Sequence, residues 1–257
     1  MPQNAILLVF AIINVVVVGI FTATILGQYV RRRRESQLYW TIALLMAFIA
    51  TLAYILMVLV TPTSQMGIFS FRLYYTLGAA LTPAWLGLGS LALVTGKRVA
   101  RTFCFLLGGA SLLAVVTVSS AAIDMHALSN VAGTPGTGVL EPGAWLPILI
   151  ILNTLGVVAL VGVAIYSGWQ LWRSRAGKSD TRAGNLLLGN VLILTGALFN
   201  AAAGTLARAF GLSSSFWLIM ALGWIIFYLG VLFTGKRRRT ASEAQSQGET
   251  KESAASA

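Results

Sequence analysis

Apolar residues run almost without interruption through seven stretches of this chain, at about 5–28, 38–61, 71–94, 103–122, 144–171, 186–209 and 216–234. Each approaches or exceeds the ~20 residues that an α-helix needs to cross a hydrocarbon core of about 30 Å. Strands of a membrane barrel would run for about 10 residues and alternate in polarity, whereas these runs are continuously apolar. A helix satisfies its own backbone hydrogen bonds, as the interior of a bilayer demands. The pattern predicts an all-α polytopic membrane protein, a bundle of seven transmembrane helices occupying residues 1–239. A tail at 240–257, rich in Ser, Ala, Glu and Gln and without large apolar residues, should be disordered.

Composition agrees with the pattern. Of 257 residues, 57% are hydrophobic and 10% charged, against the ~25% charged of a soluble domain. The mean hydropathy is +0.83. The few charges are lopsided, with 18 Lys+Arg, 7 Asp+Glu and a net charge of +11. Their placement is informative. Arg31–Arg34 follow the first run, Lys97, Arg98 and Arg101 the third, and Arg173, Arg175, Lys178 and Arg182 the fifth. Lys236–Arg239 and Lys251 follow the seventh, which leaves only Arg72 and Arg208 for the other side. Basic residues mark cytoplasmic loops, so the N-terminus is expected outside and the C-terminus in the cytoplasm. The first run is longer than a signal-peptide core and carries its positive charge after it, so it should be retained as a helix.

Several chemistries lack their residues. The chain has one His and one Cys, too few for bis-His haem, a zinc site or an internal disulfide. No acidic residue sits within a run, where ion-coupled carriers often place one. No Lys lies in a run to form a retinal Schiff base, and no phosphate-binding glycine loop is present. No cofactor is expected, and enzymatic activity is not. The basic residues are scattered over helix ends rather than gathered on a folded domain, which excludes nucleic acid as a partner and leaves membrane lipids.

The remaining polar residues are candidates. Arg72 opens the third run in Phe71-Arg72-Leu73-Tyr74-Tyr75, and Arg208 ends the sixth. Each has two readings, snorkelling to the interface or holding an anion, with Asp124 and Glu141 as alternative ion-pair partners. Counting at 1.5 Å per residue from the outer end of each run places Asn14, Thr51, Thr82, Ser111, Asn153 and Asn200 about 13–17 Å deep. Asn in hydrocarbon must face other helices. Gly196, Asn200, Gly204 and Arg208 recur every four residues on one face. This stripe is either helix–helix packing or the wall of a cavity opening outward. Pro83 removes the amide that would serve the Ala79 carbonyl, predicting a kink. The 123–143 segment, rich in Gly and Pro, reads as a flexible connector or a functional loop.

The strings Leu38-Tyr39-Trp40, Phe71-Arg72-Leu73-Tyr74-Tyr75 with Gly78, Leu86-Gly87-Leu88-Gly89, Asn153 with Gly156, and Gly204-Thr205-Leu206-Ala207-Arg208 resemble a family of uncharacterised bacterial seven-helix membrane proteins. The layout is also similar, more distantly, to the N-terminal seven-helix sensor region of some bacterial histidine kinases. It departs from those kinases in having only a short polar tail after the seventh run, so signalling would need a separate partner. The resemblance implies a bacterial cytoplasmic membrane. The expected function is a non-enzymatic, sensor-like or ligand-binding module with an outward-facing polar pocket built from Arg72, Tyr75, Asn153, Asn200 and Arg208. The alternatives are a small-solute transporter or channel component, or an accessory subunit of a membrane complex.

Overall fold

A computed structural model describes residues 2–174, 181–209 and 216–234. The expected tail at 240–257, and the basic residues Arg175, Lys178 and Lys236–Arg239, lie outside the described residues. The elements are α1 (Pro2–Arg32), α2 (Glu35–Leu59), α3 (Gln65–Tyr74), a π-helical segment (Tyr75–Leu81), α4 (Thr82–Val94), α5 (Lys97–Ser120), the short α6 (Met125–Ser129), α7 (Trp145–Ser174), α8 (Thr181–Ala209) and α9 (Phe216–Thr234). Taking α3, the π segment and α4 as one continuous helix, seven helices among the described residues are long and apolar enough to cross a membrane. One isolated antiparallel bridge, Ile123 to Leu140, is the β-structure among them.

The third helix corrects the sequence-based boundary. It begins at Gln65 rather than near 71, because Ser64 caps it by accepting from the Gly67 amide at 3.0 Å. Polar Gln65, Ser70 and Arg72 therefore belong to the helix, and Arg72 stands in its second turn. The fourth run likewise starts at Lys97, six residues before its apolar core. α5 opens on Lys97 and Arg98, and α3 on Gln65 after the Ser64 cap, polar positions that an apolar count omits.

α2 packs on α1 and α4, α4 packs on α7, and α7 packs on α8. α9 closes the bundle against α1 and α2 through Phe21–Trp224, Phe21–Phe227 and Trp40–Phe227. Small residues set the closest crossings. A Cβ on Gly156 of α7 would run into the Pro83 carbonyl of α4, and one on Gly87 would meet the Gly156 backbone. α8 and α9 mesh in the same way. Gly196 lies on the Phe227 backbone, and Gly230 lies on the backbone of Gly189 and Ile193. Close approach of this kind gives packing where both partners are apolar. α5 stands apart, burying only Ala100, Ala114 and Val118 while Phe105 is 82% exposed.

The bundle has two distinguishable ends. One carries the long 121–144 segment between α5 and α7, here the loop end. The other carries the turns that join α1 to α2 and α4 to α5, here the basic end, where Arg101 pairs with Glu35 at 2.7 Å.

Candidate functional site

The 121–144 segment is an ordered plug, not a slack connector. Its two ends pair with each other, with the Asp124 amide donating to the Val139 carbonyl at 2.8 Å and the Glu141 amide to Ala122 at 3.0 Å. Asp124 then caps α6 by accepting from the amides of His126 and Ala127. Leu128, Val131, Val139 and Leu140 are buried in one apolar cluster with Tyr54, Phe71, Tyr74, Tyr75, Trp145 and Trp217. Two tyrosine hydroxyls fix the backbone of the plug. Tyr54 accepts from the Gly133 amide at 2.5 Å, and Tyr74 donates to the Pro135 carbonyl at 3.2 Å. Gly136 adopts a left-handed φ of 70°, and a Cβ there would come within 2.8 Å of the Phe71 ring. Glycine is therefore demanded twice at this position, by conformation and by space.

Docking of the plug leaves a recess of about 230 Å³ at the loop end, lined by Asn130, Thr134, Pro135, Gly136 and Thr137 of the plug and by Gly204 of α8, among others. Among the described residues its lining carries hydroxyl, amide and backbone groups and no ionisable side chain. Thr134 is already oriented, donating to the Val131 carbonyl at 2.9 Å and accepting from the Gly136 amide at 3.2 Å. Such a surface suits a small molecule recognised by neutral hydrogen bonds.

The residues expected to form one pocket are distributed differently. Arg72 donates to the carbonyls of Ser119 and, at 3.0 Å, Ala121, closing the C-terminus of α5 rather than pairing with Asp124 or Glu141. A helix C-terminus presents unpaired carbonyls and partial negative charge, which a guanidinium satisfies. Tyr75 is buried, with its ring edge-on to Trp145 at 5.6 Å and tilted on Phe71 at 5.6 Å. Asn153 donates to the Ala79 carbonyl at 2.7 Å. This is the acceptor that Pro83, lacking an amide hydrogen, leaves unserved. Thr82 serves the neighbouring Leu77 carbonyl with both its hydroxyl and its amide, so the expected kink takes the form of a π-helical segment. Asn200 lies against Gly223 of α9, its Oδ1 buried without a hydrogen-bond partner. The side chain of Arg208 lies outside the described residues.

The layer of polar residues at similar depth thus resolves into separate contacts. Asn14 donates to Thr51 at 3.0 Å, Trp85 to Ser111 at 3.2 Å, and Asn153 to Ala79. Among the described residues no hydrogen bond joins Asn200 to Asn14 or Asn153. The Gly196–Arg208 stripe divides likewise. Gly196 and Asn200 face α9, whereas Gly204 lies beneath Pro135 in the recess. Sequence reasoning missed Tyr54 and Tyr74. The available signal was two phenols at the same ends of their helices as a Gly- and Pro-rich loop.

Among the described residues no group of three or more His, Cys, Asp or Glu side chains is gathered to hold a metal. No protein-family model matches the chain, and no curated protein matches it.

Proposed function

We propose that the chain is a non-enzymatic ligand-binding module, sensor-like in character, spanning a bacterial cytoplasmic membrane seven times with its N-terminus outside. Sixteen of the 18 basic residues follow the first, third, fifth and seventh apolar runs in sequence, which supports the orientation, and the motif resemblance to seven-helix bacterial proteins supports the setting. The loop end then faces outward, and the recess under the plug is the outward-facing pocket. The observation that carries this reading is a shared wall. Pro135 and Gly136 line the recess, and the same two residues rest on Tyr74 and Phe71. Tyr74 is the residue immediately before the π segment, so a molecule that moves the plug acts directly on a helix discontinuity, the kind of site where proteins place hinges. The ligand is a small polar molecule. Arg208 follows Gly204 by four residues in sequence, and we assign it to an anionic group on the ligand. A separate protein would receive the signal.

Thermal unfolding of the purified chain against a broad set of small polar metabolites tests this. A true ligand at 100 times its Kd adds about 2.7 kcal/mol of stability. Gly204→Trp should abolish the gain by filling the recess, whereas Asn200→Ala should keep it. A screen in which no compound stabilises the native chain overturns the reading. Orientation is checked separately with single cysteines in a Cys104→Ser background. An impermeant maleimide should label position 129 in intact cells and leave position 95 unlabelled.

The break in the third helix favours one alternative, because discontinuous helices also line transporter substrate sites. Solute flux into proteoliposomes above an empty-vesicle control would favour the transporter over the sensor.

A further inference from the structure

Between α7 and α8, toward the basic end, the surface is indented by a groove of about 300 Å³ lined by Ala164, Ile165, Gly168 and Trp169 on one side and Leu187, Val191 and Leu194 on the other. Two small residues of α7 create it. Gly168 has no side chain, and a Cβ built there would stand 3.8 Å from Leu187, in ordinary contact and without a clash. The groove wall presents no polar surface even though Asn190 borders it. Along α7, Ala164 and Trp169 lie ten and five residues from the helix end at Ser174, or about 15 and 8 Å at the helical rise. The groove therefore runs along the helices over the depth of one leaflet's acyl region.

At its end stands a cation. The Arg173 guanidinium lies over the Trp169 ring, 5.6 Å from its centroid, and among the described residues it forms no ion pair. Stacking on an aromatic face leaves the in-plane N–H groups of Arg free, and their fork matches two oxygens of a phosphate. Arg175, Lys178 and Arg182 follow in sequence, with Asp180 among them, so the stretch after α7 carries a net positive charge.

We propose that the α7–α8 groove is a binding site for one anionic phospholipid. An acyl chain lies along Ala164, Gly168 and Leu187, and the headgroup phosphate is held by Arg173. The inference rests on the reading that these helices lie in a bilayer, and its test separates the two. Alkaline carbonate extraction of membranes asks whether the chain is integral. Native mass spectrometry of the full chain, released from nanodiscs of equal phosphatidylglycerol and phosphatidylcholine with matched acyl chains, asks which lipid is retained.

The expected result is one retained phosphatidylglycerol, favoured about fivefold over phosphatidylcholine, the scale of a single cationic contact at a membrane surface. Arg173→Gln should lower the preference toward unity while leaving the chain folded. Gly168→Leu should reduce retention of both lipids by filling the groove. Arg31→Gln with Arg32→Gln should leave the preference unchanged, which places the site at α7–α8 rather than at another basic cluster. Equal retention of the two lipids by the native chain, or an Arg173→Gln variant that keeps the preference, overturns the proposal. If the chain is released by carbonate, the membrane reading itself has failed.

Discussion

The two ends of the bundle are held by different kinds of interaction. At the loop end, directional polar bonds tie one piece of backbone to another through side chains, as Tyr54 to Gly133, Tyr74 to Pro135 and Arg72 to Ala121 show. Through the middle and toward the basic end, backbone lies directly on backbone at Gly87–Gly156 and Gly196–Phe227. A hydrogen bond has one or a few partners and can be exchanged for water at a net cost of about 1 kcal/mol. A glycine crossing cannot yield without moving two helices, because packed interiors have no slack. The loop end is therefore the adaptable end and the crossings are the fixed frame. The π segment Tyr75–Leu81 lies at the junction of the two.

The strongest test of that contrast is to attack the frame. Gly156→Leu drives a side chain into the Pro83 carbonyl and should cost about 3 kcal/mol or more, read as loss of monodisperse protein in mild detergent and a large fall in unfolding temperature. The junction comes next. Asn153→Ala strands the Ala79 carbonyl and should cost about 1–2 kcal/mol. Pro83→Ala restores an amide four residues after Ala79, so the double variant should recover most of that loss in a reversible unfolding cycle. Additive losses would mean that Asn153 does not act through this carbonyl.

Tyr54→Phe and Tyr74→Phe loosen the adaptable end, each by about 0.5–1.5 kcal/mol. Amide exchange across 131–139 should accelerate while exchange along α4 and α7 stays unchanged. Faster exchange in the frame as well would erase the distinction between the ends. The smallest effect belongs to Arg101→Gln. Its partner Glu35 is half-buried while the Arg101 side chain is 64% exposed, and such solvent-screened pairs contribute about 0–1 kcal/mol, so unfolding should barely shift.

Seven helices were legible because each apolar run is long and the runs are separated by basic clusters on one side and by stretches rich in Ser, Gly and Pro on the other. The start of the third helix was not, since Ser64, Gln65, Gly67 and Ser70 look like loop composition until Ser64 is seen capping Gly67. The site was legible in part. Pro83 pointed to the unserved Ala79 carbonyl, yet nothing in the sequence names Asn153 as the donor, because that depends on how α7 is rotated about its axis. The same limit applies to the polar layer. Depth along a helix follows from counting, whereas partnership follows from rotation, and residues at one depth paired off instead of converging. The plug was the least legible element. Its order comes from tyrosines on two other helices, at sequence distances of 79 residues for Tyr54 to Gly133 and 61 for Tyr74 to Pro135.

The bond from Asn153 to Ala79 spans 74 residues of sequence, and that distance has a consequence in time. On the proposed membrane reading, a chain inserted as it is synthesised delivers the proline-broken helix to the bilayer long before the helix that completes its hydrogen bonding. Until α7 arrives, the Ala79 carbonyl faces lipid or the insertion machinery without a donor. The third helix is thus provisional at birth, its hydrogen bonding completed by a residue of a later helix.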